Sequence, residues 1–164
     1  MDDKFGTLLD ILEKEVELYR EFLTLLQRER QYMIDLSLDR LHECNNQKDA
    51  VILNLKVLDE SRVDVIDSIR NGDQSAPPTL SMIIERAPVR YKGGLESCRS
   101  NLRSLVGSIR EINQINGVLS ERAINYTRSS LSFLNRLFHE LPVYLSSGQI
   151  GQRKRTGKLV CKKG

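Results

Sequence analysis

Apolar residues recur at threes and fours along most of this chain, with polar residues between them. From Asp2 to about Met33 the positions Leu8, Leu12, Val16, Tyr19, Leu23, Leu26 and Met33 keep that spacing, and no Pro or Gly interrupts it after Gly6. The period predicts a long first helix, with Asp2 and Asp3 well placed for its N-terminal dipole. Asp35-Leu36-Ser37 then offers capping side chains. Beyond it Leu38, Leu41, Val51, Leu55, Leu58, Val65 and Ile69 carry a second stripe to Asn71-Gly72, a favourable stop. Two helices of roughly thirty residues, each about 50 Å long, are expected to pair as an antiparallel hairpin.

Residues Gly72 to Pro78 read as a linker. Thr79 is placed to cap a short helix, Leu80 to Ala87, that Pro88 ends; Gly93-Gly94 oppose helix, so helical order is expected to resume by Leu95. The strongest pattern follows. One series runs Leu95, Leu102, Ile109, Asn116, Ala123, Ser130, Leu137, and its partner runs Cys98, Leu105, Ile112, Leu119, Tyr126, Phe133, Glu140. Together they alternate threes and fours, the signature of a coiled-coil-like seam. A helix from Leu95 to Leu141 is about 70 Å long, more than either predicted partner, which leaves part of its apolar face without internal cover. Pro142 ends it. The expected fold is all-α: an elongated antiparallel helical hairpin or bundle of long coiled-coil-like helices with one short helix, as a single domain over 1–141. A flexible basic C-terminal tail follows over 142–164.

Composition agrees with helices. Of 164 residues 29% are charged and 40% hydrophobic, with 5% aromatic and no Trp, a balance that disfavours strand-and-turn architecture. The net charge of +3 conceals an asymmetry: Arg153, Lys154, Arg155, Lys158, Lys162 and Lys163 fall in a stretch from Pro142 onward that has no acid. Of 25 basic residues that leaves 19 against 22 acidic ones, a net-negative body with a basic tail. The opening MDDKFGTLLDILEKE is too charged for a secretory signal peptide, and no uncharged run approaches the ~20 residues a membrane span needs, so no stable membrane insertion is expected. Cys44, Cys98 and Cys161 are scattered, which favours a reducing, cytoplasmic location.

Catalytic chemistry is not legible. His42 and His139 lie far apart, and His139-Glu140 is followed by Leu-Pro-Val, so the HExxH zinc motif fails at its second His. The segment Gly151 to Leu159 has five residues between its glycines where a phosphate loop needs four, and Leu159 replaces the magnesium-holding hydroxyl. Glu13, Glu15, Glu17 and Glu21 alternate with Lys14 and Arg20 without any Glu-x-x-His pair, and read as a solvated helix face. Cys98 falls on the seam, where a thiol serves as a small hydrophobe. The expectation is a non-enzyme with no cofactor and no metal.

What remains is an apolar face longer than its cover, a polar break in it at Asn116, with Asn113 three residues earlier, and the tail. One seam Asn commonly sets register or oligomeric state; the functional alternative is recognition of a partner's backbone. At this point the chain resembles the flagellar type III export chaperones of the FlgN type, over nearly its whole length. The resemblance rests on Leu8-Leu9 with Glu13, Glu15 and Tyr19; on Asp35-Leu36-Ser37-Leu38-Asp39 followed by Leu41, Lys48 and Arg62; on the Asn113-x-x-Asn116 signature within Ile109 to Leu119; and on Tyr144-Leu-Ser-Ser-Gly148-Gln149.

The resemblance implies an ATP-independent chaperone that binds hook-associated proteins of the hook-filament junction, keeps them from assembling early and delivers them to the flagellar export gate. The client's C-terminal helical segment would lie on the long helix, at Leu105, Ile109, Ile112, Asn113, Asn116, Leu119, Tyr126 and Phe133. Tyr144, Gly148 and Gln149 would contribute to export-gate docking. The basic extension from Arg153 to Lys163 departs from the family pattern. A homodimer is compatible with the seam. The alternative reading is a nucleic-acid-associated helical protein acting through its tail. The net-negative body and the lack of any groove-reading motif weigh against it, so no nucleic-acid partner is expected.

Overall fold

The computed structural model describes residues 2–70, 79–140, 143–144 and 150–151. Four helices follow in order: α1 (Asp2–Ile34), α2 (Leu38–Arg70), α3 (Leu80–Glu85) and α4 (Val89–Glu140). Beyond them the backbones of β1 (Val143–Tyr144) and β2 (Ile150–Gly151) pair antiparallel, Tyr144 opposite Ile150. The chain divides into two compact units, Met1–Glu121 and Arg122–Gly164, and the division falls within α4.

In the first unit α1 and α2 form the antiparallel hairpin that the two stripes predict. The turn between them is set by hydrogen bonding. Leu36 N–H donates to Met33 O at 3.3 Å and Ser37 N–H to Tyr32 O at 3.0 Å, a Schellman closure of α1 with Leu36 at φ 52°. That left-handed position usually takes glycine, so the leucine carries strain.

Two apolar clusters hold the unit together. The larger joins Phe5, Leu8, Leu12 and Val16 of α1 to Ile83 and Ile84 of α3, Ala87, and Leu95 and Cys98 of α4, with Val65, Ile66 and Ile69 of α2 packed against it. Leu8, Leu12, Ile83 and Leu95 are fully enclosed, and removing each such side chain from water contributes about 1.5–3 kcal/mol. The smaller cluster is built by α1 and α2: Leu25, Cys44 and Val51, flanked by Leu18, Phe22, Tyr32 and Leu55. Short α3 begins at Thr79, whose hydroxyl accepts from Met82 N–H at 3.4 Å, and it feeds Ile83 and Ile84 into the core.

The direction of α4 follows from two contacts. Gly94 lies against Leu9, and Asn116 reaches Leu26, so α4 runs parallel to α1 and antiparallel to α2. Two expectations are corrected here. The short helix stops at Glu85 rather than Ala87, and α4 starts at Val89 rather than Leu95, continuing through Gly93-Gly94. Glycine is tolerated at 94 because the helices approach closely there: a Cβ would sit 3.1 Å from both Leu9 methyls. Most of the segment from Pro142 to Gly164, including the basic extension, lies outside the described residues.

Candidate functional site

The seam of α4 is used unevenly. Within the first unit Leu95 and Cys98 are buried, Leu102 and Leu105 pack against the larger cluster, and Ile109, Ile112 and Leu119 are half-buried. Asn113 points to solvent. In the second unit the seam is open: Tyr126 is 77% and Phe133 58% exposed, and Leu137 is exposed too. Spacings of seven and four place those three on one helix face. Ile124, Leu131 and Leu134 are further exposed apolar residues of the same stretch. Contiguous exposed apolar residues on a protein surface commonly mark interaction sites.

Asn116, the polar break, is 4% exposed and fully engaged on one side. Its Nδ2 donates to Leu26 O and to Glu29 Oε2 of α1, each at 2.9 Å. Both neighbours are acceptors, which fixes the amide's orientation and leaves Oδ1 buried without a partner. The other Glu29 oxygen, Oε1, accepts from Lys48 Nζ of α2 at 2.5 Å. One carboxylate therefore joins three helices.

A second polar pair sits nearer the N-terminus of α1. Glu15 Oε2 lies 3.5 Å from Arg62 Nη1 of α2, and Arg62 also pairs with Asp59. Burial raises the Glu15 carboxyl above its ordinary value of 4.5; Arg62 works against that rise and Asp59 adds to it. Tyr19, one turn on, is likewise raised by burial and by Glu15. Glu15 is thus a correction: it is buried, not part of a solvated face. The sequence carried a signal for it. A strict alternation of fours and threes from Leu8 runs Leu12, Glu15, Tyr19, Phe22, Leu26, Glu29, Met33, and the same rule from Cys44 runs Lys48, Val51, Leu55, Leu58, Arg62, Val65, Ile69. Both glutamates and both cations occupy stripe positions two heptads apart, and the antiparallel hairpin matches Glu29 with Lys48 and Glu15 with Arg62.

Among the described residues no group of three His, Cys, Asp or Glu is placed to hold a metal, and no helix is long and apolar enough to cross a membrane. The Cys44 thiol donates to Leu25 O at 3.3 Å, and burial raises the pKa of both Cys44 and Cys98, so neither is an activated nucleophile. Of the expected docking residues, Tyr144 lies in the short strand pairing, and Gly148 and Gln149 lie outside the described residues.

Comparison with curated proteins and with solved structures gave no match. The family model described as FlgN protein matches residues 1–151. A chain matched over that span, mostly helical among its described residues and with an open apolar face on its longest helix, belongs to the FlgN family of flagellar export chaperones.

Proposed function

We propose that this chain binds hook-associated proteins in the cytoplasm, holds their C-terminal helical segments against the seam of α4, and so prevents their premature assembly until export. The observation that carries this reading is the exposed face of Tyr126, Phe133 and Leu137 in a member of this family. An amphipathic client helix would lay its apolar stripe on these residues. In the first unit Leu105 and Asn116 are taken up by the core and by α1, a correction to their reading as client contacts, while Ile109, Ile112 and Leu119 stay half-buried and Asn113 exposed. Delivery to the export gate falls to Tyr144, Gly148 and Gln149, and the basic stretch from Arg153 to Lys163 adds a salt-sensitive charge contribution. No catalytic step is needed.

Co-expression with the C-terminal fragment of a hook-associated protein, followed by size-exclusion chromatography, tests it. Because Tyr126 and Phe133 are exposed, replacing both by Asp leaves melting nearly unchanged and abolishes co-elution. Full co-elution of the folded double variant overturns the assignment. Deleting residues 144–164 leaves client capture intact and cuts secretion; normal secretion at normal expression removes the docking role from the tail.

A further inference from the structure

The seam of α4 is an apolar track that its own chain covers in one unit and leaves open in the other. An uninterrupted heptad track does not fix where coverage stops, because sliding by seven residues presents an equivalent face to the partner helix. In α4 one residue breaks the equivalence. Asn116 stands where the two neighbouring heptad equivalents are Ile109 and Ala123, neither of which can donate a hydrogen bond from its side chain. Opposite it, Glu29 is held by Lys48 of α2 and needs a second donor for Oε2, which Asn116 supplies.

Resting on the functional reading above, we infer that Asn116, braced by Glu29 and Lys48, is a positioning residue that pins the register of α4 on α1 and so reserves the downstream seam for a client helix. A slide that drew Ala123 and Tyr126 onto α1 would put a methyl group against the Glu29 carboxylate and move the Asn116 amide among apolar side chains. Both changes leave buried polar atoms unpaired. The registered state already tolerates one such atom, Asn116 Oδ1, which marks the residue as placed for specificity at some cost in stability. Without the pin, α4 satisfies its own apolar face and competes with the client.

The test is Asn116→Leu in the full chain, with two readouts. The first is the distance between spin labels carried by non-natural amino acids at Asp10 of α1 and Gln114 of α4, both exposed and well separated along the helix axes, so that an axial slide changes it almost in full. Wild type gives one distance, and the variant gains a second population displaced by about 10 Å, one heptad of rise. The second is affinity for the hook-associated C-terminal fragment: if a tenth of the variant keeps the native register, apparent affinity falls about tenfold. The variant melts no lower than wild type, whereas a merely structural asparagine would lower melting and affinity together. Glu29→Gln, which keeps an acceptor oxygen, retains the native distance. Should the leucine variant not fold, Asn116→Ala gives the same reading. A single native distance in the folded variant overturns the pin whatever the affinity, and a displaced register with wild-type affinity overturns its role in binding. Failure of wild type itself to bind the fragment strikes the proposed function, and the distance alone then decides the pin.

Discussion

The carboxylate of Glu15 lies buried on α1, 3.5 Å from the guanidinium of Arg62 on α2. Desolvation outweighs the attraction of Arg62, so the folded chain holds the Glu15 proton more tightly than the unfolded chain does. The folded pKa is raised, and stability therefore falls as pH rises from about 4.5 through the folded value, then stays level. Glu15→Gln removes the ionisation. In melts from pH 4 to 8, the variant gains on wild type as pH increases, because Arg62 keeps Asp59 as a partner. A wild-type advantage that grows with pH would show that the ion pair dominates.

Leu36 holds φ 52° at the Schellman position while 78% of it is exposed. Leu36→Gly relieves the left-handed penalty, loses little burial, and gives back part of the gain as unfolded-state entropy. The net expectation is a stabilisation of about 0.5–1 kcal/mol in urea unfolding. Leu36→Val, β-branched at the same φ, is expected to lose stability instead.

Gly93 and Gly94 are neighbours in α4 with opposite surroundings. A Cβ at 93 meets nothing within 4 Å, so Gly93→Ala should stabilise by roughly 0.8–1 kcal/mol through helix propensity alone. At 94 the same Cβ meets the Leu9 methyls at 3.1 Å, and Gly94→Ala should gain less or nothing. Gly94→Val should destabilise, since its extra carbons enter the α1 contact. Equal gains at both sites would mean that α1 and α4 are not in close approach there.

Reading the chain by period alone delivers the hairpin, the capped short helix, the long seam and the place where it breaks, because burying one face of a helix imprints threes and fours on the sequence. Period reports that a face exists, not what covers it. That Leu105 packs inward while Tyr126 and Phe133 stay in water, and that α4 runs parallel to α1, are settled by which helix lies opposite each turn. Charges on a stripe are ambiguous for the same reason. Glu15 reads as part of a solvated face until the antiparallel hairpin sets Arg62 across from it. Gly93-Gly94 reads as a helix breaker until the third dimension supplies Leu9 as the reason for a missing side chain at 94. Local preference fixes the faces, and only the packing of one face on another decides which of them is core, which is lock and which is left open.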